Sequence, residues 1–181
     1  MLIVDAHLDL AWNALQWNRD LTSAVYTIRA QEADVPGKGR AQNTVALPDL
    51  RRGRVALCFA TVLARSTGRP VPNVDFRSPA QAYGVAQGQL AYYRGLEHDG
   101  FARIITDTAQ LDAHIAEWQV YDAAKTISDA PPLGIVISME SADPVLDPDQ
   151  LGAWWDAGLR LIGPAHYGMG RYAGGTSVED G

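Results

Sequence analysis

The stretch Val4-Asp5-Ala6-His7-Leu8-Asp9-Leu10 sets an imidazole and a carboxylate one residue apart, directly after the apolar opening Leu2-Ile3-Val4. Side chains two positions apart on a strand point to the same face, so a strand running this far makes His7 and Asp9 converge. Imidazole with carboxylate suits zinc or another divalent first-row metal. Alone, His-x-Asp also describes polar residues where a strand leaves the core, and other residues must decide between the two. Glu140 ends the apolar run Gly134-Ile135-Val136-Ile137-Ser138-Met139, and a carboxylate there can bridge two cations. His166 follows Leu161-Ile162-Gly163-Pro164-Ala165 in the same way. Each therefore falls at the carboxyl end of an apolar run, where parallel α/β folds build their active sites.

Those ends require strands. Five apolar runs are short enough to be buried strands: residues 2–4, 55–63, 102–105, 133–139 and 159–162. Between them, Ser78-Pro79 reads as an N-cap with proline at the first helical position, and Ala82, Val85, Ala86, Leu90, Tyr93 and Leu96 recur at helical spacing up to Gly100. A second helix is expected from Thr108, carrying Leu111, Ile115 and Trp118 and ending before Pro131-Pro132; a third carries Leu151, Trp154 and Trp155 before Gly158. Strand and helix in alternation give an α/β fold with a parallel sheet covered by helices. Residues 13–49 break the rhythm and are expected to form a long insertion, with a helix after Thr22.

Composition narrows the function classes. The chain has 181 residues, 47% hydrophobic and 20% charged, which is a globular balance. Fifteen Lys plus Arg stand against 21 Asp plus Glu, a net charge of −6 without basic blocks, so nucleic acid is not an expected partner. Cys58, the single cysteine, sits in an apolar run and reads as a buried thiol. No basic, apolar and small-residue leader opens the chain, and no run approaches the roughly 18 apolar residues of a membrane span. A cytoplasmic protein without a membrane segment is the expectation.

The chemistry-bearing residues, taken in order, resemble the renal or membrane dipeptidase family of zinc peptidases, family M19. Asp5-Ala6-His7-Leu8-Asp9-Leu10 is similar to the family's opening Asp-Gly-His-Asn-Asp-Leu; Glu140-Ser141 stands where it has Glu-Gly; Gly158-Leu159-Arg160 leads to His166 as its Gly-x-Arg strand leads to a histidine. Residues 43–53 resemble the segment before its second strand. The resemblance implies a (β/α)8 barrel of the metallo-dependent hydrolase type, of which this chain supplies about the first five strands as the N-terminal part of one domain. It also implies roles: His7 and Asp9 bind one zinc, Glu140 bridges two, and His166 touches the substrate, polarising its carbonyl or stabilising the oxyanion. Two such cations, about 3.5 to 4 Å apart, lower the pKa of a shared water and deliver it to a peptide carbonyl. The implied activity is zinc-dependent hydrolysis of a dipeptide. Ala6, Leu8 and Ser141 depart from the family's Gly, Asn and Gly.

The resemblance also implies residues that this chain lacks. The second zinc needs two further histidines, and a later Asp handles the proton, yet the only other histidines are His98 and His114, within the expected helices and read as surface or partly packed. A (β/α)8 barrel commonly takes about 250 residues, and five strands do not close it. The expectation is a fragment, inactive alone, with open sheet edges that favour poor solubility or homo-oligomers. Two other readings stay open: a metal-dependent amidohydrolase acting on N-acyl amino acids, lactones or small amides, and a truncated half barrel without catalysis.

Overall fold

A computed structural model describes residues 1–124 and 130–178. The chain forms β1 (Ile3–Leu8), α1 (Leu10–Trp17), α2 (Val25–Gln31), α3 (Leu47–Arg52), β2 (Val55–Leu63), α4 (Pro79–His98), β3 (Ala102–Ile104), α5 (Thr108–Ala124), β4 (Leu133–Glu140), α6 (Leu151–Asp156) and β5 (Leu159–Gly163). All five expected strands form, and every pairing is parallel. The expected end of the second helix falls on residues 125–129, outside those described.

The strands do not stand side by side in chain order. β2 pairs directly with β4, from Leu57 opposite Gly134 to Leu63 opposite Glu140. β3 and β5 share the other edge of β4: β3 takes the amino-terminal half, Leu133 to Ile135, and β5 the carboxyl-terminal half, Ile137 to Glu140. At the end that carries the candidate residues the order is therefore β1-β2-β4-β5. β3, with three residues, is too short to reach it.

Period-two burial divides the sheet into two faces. On β4, Ile135, Ile137 and Met139 are buried under the helices, whereas Val136, Ser138 and Glu140 are only half-buried. On β2, Cys58, Ala60 and Val62 point into the same helical layer as Leu10, Leu90, Tyr93 and Trp154. The other face is open toward the carboxyl ends of the strands, and Val4, Leu161 and Ile162 on the flanking strands are exposed; nearer the amino ends His114 of α5 packs against it at Gly134. A sheet with helices on one face and uncovered apolar side chains on the other is the wall of a barrel.

Local chemistry fixes the helices that hold this wall. Ser78 caps α4 by accepting the Gln81 amide, with Pro79 in the first turn. Asp49, in the first turn of α3, accepts the Val25 amide, one of the N–H groups that the start of α2 leaves without an intrahelical partner. In the segment 13–49 a buried ion pair ties the helices together: Glu32 accepts from Arg19 Nε at 2.8 Å, Arg19 Nη2 at 2.9 Å, Arg40 Nη1 at 2.8 Å and the Ala41 amide at 2.9 Å. With its charge fully met, the Glu32 carboxyl is held down from 4.5 to about 2, chiefly by Arg19.

One histidine differs from the sequence reading. His98 is exposed at the end of α4, but His114 is 0% exposed, seated between α5 and the sheet. Its Nε2 lies 2.7 Å from the Ala56 carbonyl oxygen, and Gly134 provides the room, since a Cβ there would stand 2.5 Å from that nitrogen. Burial lowers its pKa, which favours the neutral ring. Cys58 is buried as expected, and burial pushes its thiol up to about 12. Among the described residues no helix is long and apolar enough to cross a membrane.

Candidate metal centre at the strand ends

The four residues singled out in the sequence meet at the carboxyl end of the sheet. His7 is the penultimate residue of β1, Asp9 follows the strand, Glu140 closes β4, and His166 lies three residues beyond β5. His7 Nε2 stands 3.5 Å from Asp9 Oδ1 and 3.2 Å from Glu140 Oε2, while His166 Nε2 stands 2.8 Å from Glu140 Oε1. One ligand atom each from His7, Asp9 and Glu140 fits within a 4.8 Å span.

The chain brings His7 and Asp9 together through a break in regularity. Between Asp5 and Leu8, β1 spends one residue more than β2, a bulge that re-aims the strand end, and the Asp5 carboxylate accepts the His7 amide at 3.0 Å. Asp9 occupies the N-cap position of α1, yet its side chain makes no cap. Its Oδ1 accepts from the Thr61 hydroxyl instead, which turns the carboxylate toward the site. Thr61 is held in turn by the buried Tyr93, whose hydroxyl donates to the Thr61 carbonyl at 2.6 Å and accepts the Ala11 amide at 3.1 Å.

Electrostatically the site favours an added cation. Two carboxylates face each other, and Glu140 Oε2 is buried with no hydrogen bond among the described residues. Burial raises the Glu140 pKa, the Asp9 charge raises it further, and His166 and His7 offset part of the rise. A buried acceptor, crowded by like charge and flanked by an imidazole and a second carboxylate, is a donor set that a divalent cation satisfies.

Glu140 is followed by a conformation that favours glycine. Ser141 has φ +77°, the left-handed region that a Cβ disfavours, and this is the position where the resemblance has glycine. The chain thus makes the turn after Glu140 with a residue poorly suited to it.

Sequence reasoning missed three supporting residues. Thr61 and Arg65 lie at or just past the carboxyl end of β2, so the rule that selected Glu140 and His166 could have found them. Asp143, fully buried, ties the loops over the site: its carboxylate accepts the Ser66 amide at 2.8 Å and the Arg171 amide at 2.7 Å. An open cleft of about 470 Å³ is lined by His7 and Glu140 together with Phe59, Thr61, Leu161 and Ile162 among others.

No family model matches the chain, and no curated protein does. Solved structures do. The dipeptidase AC, a metallo peptidase of family M19, aligns with 91% of this chain at 19% identity and a TM-score of 0.59, over 43% of its own length. A metallo peptidase from Rhodobacter sphaeroides, solved with a phosphinate mimic of the dipeptide L-Ala-D-Ala, covers 91% at 18% identity and TM-score 0.58, over 45% of its length. The probable dipeptidase PvdM from Pseudomonas aeruginosa covers 96% at 17% identity and TM-score 0.61, over 37% of its length. The chain spans less than half of each of these structures. Its parallel sheet, helical layer and open inner face accordingly have the fold of one part of the M19 metallo-dipeptidase barrel.

Proposed function

We propose that this chain forms one wall of the active site of a zinc-dependent dipeptidase, with His7 and Asp9 holding one zinc, Glu140 bridging to a second, and His166 facing the substrate carbonyl. The observation that carries the reading is the convergence of His7, Asp9 and Glu140 within 4.8 Å at the carboxyl ends of parallel strands, around a buried carboxylate oxygen with no hydrogen bond among the described residues. When bound, the zinc pair supplies Lewis acidity and a water of lowered pKa.

The chain's own residues do the rest. Thr61 and the Tyr93 hydroxyl beneath it hold the Asp9 carboxylate and the end of β2 in place, so little reorganisation is needed on loading. His166, with a proton on Nε2, donates to the carbonyl oxygen as that atom gains negative charge, an interaction stronger in the transition state than in the ground state. Phe59, Leu161 and Ile162 give the open cleft apolar walls for the apolar part of a small substrate; about 470 Å³ is of small-molecule size.

The test is cleavage of a dipeptide panel, with and without zinc, by a protein in which this chain stands within a complete barrel. Zinc-dependent turnover that is lost in Glu140→Ala supports the reading. Turnover unchanged by that substitution removes Glu140 from the site.

A further inference from the structure

We propose that Arg65 is the positioning residue of His166: its guanidinium donates to Nδ1, fixing the ring so that Nε2–H is aimed into the site. The consequence for turnover rests on the dipeptidase reading above; the hydrogen bond itself does not.

The contact is direct. Arg65 Nη1 stands 3.1 Å from His166 Nδ1. A guanidinium has five N–H donors, no acceptor, and stays protonated in proteins, so at this contact Nδ1 must be the acceptor. A neutral ring whose Nδ1 accepts carries its proton on Nε2. In this structure that nitrogen lies 2.8 Å from Glu140 Oε1, where it serves as donor. His166 needs such a partner, because it sits past the end of β5 on the turn Gly163-Pro164-Ala165 and no strand pairing orients its side chain.

Arg65 is itself held from three sides. Its amide donates to the Val74 carbonyl at 2.8 Å, and its carbonyl accepts the Phe76 amide at 2.7 Å. Its Nε lies 3.7 Å from Asp75 Oδ2, and Asp75 is buried with its carboxylate pinned by the Thr67 amide at 3.1 Å and the Thr67 hydroxyl at 2.5 Å. The Arg65 side chain is only 16% exposed. Separately, Asp143 joins Ser66, next to Arg65, to Arg171 in the segment after His166, which holds the two loops in mutual register. A charged side chain braced by a buried carboxylate on one side and set against an imidazole on the other is the arrangement by which outer groups orient a working histidine.

Two measurements test this. In the 15N-labelled metal-free protein, with His166 assigned by comparison with His166→Gln, NMR should find His166 Nδ1 unprotonated and coupled through the hydrogen bond to Arg65. A proton on Nδ1 of the wild-type ring overturns the proposal, whether or not any variant folds and whether or not the protein cleaves dipeptides. In turnover by a protein in which this chain stands within a complete barrel, Arg65→Met should lower kcat about 10- to 100-fold with KM nearly unchanged, the cost typical of losing such an outer partner. Arg65→Lys, which keeps a donor, should recover most of it. A raised KM at unchanged kcat would instead make Arg65 a substrate contact, and equal losses in the Met and Lys variants would make it structural; either result overturns the positioning role while leaving the dipeptidase reading standing.

Discussion

Glu140 holds His166 Nε2 at 2.8 Å with one carboxylate oxygen and keeps the other, buried, 3.2 Å from His7 Nε2 without a hydrogen bond among the described residues. The metal-free site therefore stores an unfavourable arrangement of charge, and Glu140→Gln should relieve it. We expect the metal-free variant to be more stable than the wild type at neutral pH by about 1 kcal/mol, the common size of a stability gain that sacrifices a working group. Urea denaturation without metal measures it. A clear loss of stability would mean that the carboxylate is already well satisfied.

Thr61 contributes nothing to the donor set, yet its hydroxyl holds Asp9 away from the helix cap. Thr61→Val keeps the buried shape and removes that donor. Zinc affinity should fall about 10-fold or more, as for other outer partners of metal ligands, while the thermal midpoint without metal changes little. Competition with a zinc chelator reads the affinity.

Ser141 adopts φ +77° immediately after Glu140. Ser141→Gly should stabilise the fold by about 1 kcal/mol, since a left-handed residue with a Cβ costs roughly 1–2 kcal/mol and glycine's greater freedom when unfolded returns part of that. The weak 3.4 Å contact from the Asp143 amide to the Ser141 hydroxyl is the small offsetting loss. Ser141→Val should be destabilising. Equal midpoints for the glycine and valine variants would contradict the strain.

Acid should loosen the 13–49 segment through Glu32. Its folded pKa, about 2, lies below its ordinary 4.5, so the folded state binds fewer protons between those values. The stability it contributes is present above about pH 4.5 and is lost as the pH falls toward 2. In Glu32→Gln the stability curve should be flatter across that window, and the variant weaker at pH 7. A curve as steep as the wild type's would assign the acid sensitivity to other carboxylates.

The strand ends were legible because burial leaves a local mark. The runs at 55–63 and 133–139 became β2 and β4 with boundaries within one residue, and Glu140 followed. The convergence of His7 and Asp9 was legible in outcome but not in cause: the two-residue period ignores the bulge between Asp5 and Leu8, and it is Thr61 that turns Asp9 inward. α1 is absent from the sequence reading because Asp9 is read there as a ligand rather than a helix start, and the insertion at 13–49 opens inside the helix, Leu10–Trp17. The burial of His114 depends on the missing Cβ of Gly134, on a different element, and the displacement of β3 to the edge of β4 depends on which strands find each other. Neither leaves a periodic trace along the chain.

The most direct test of the account is zinc binding by the metal-free protein, measured by equilibrium dialysis for the wild type, His7→Ala and Glu140→Ala. The convergence of His7, Asp9 and Glu140 predicts uptake by the wild type and at least about 100-fold weaker binding in both variants, beyond the ~10- to 100-fold typical of outer-shell losses. Wild-type affinity retained in Glu140→Ala would contradict a metal centre at these strand ends.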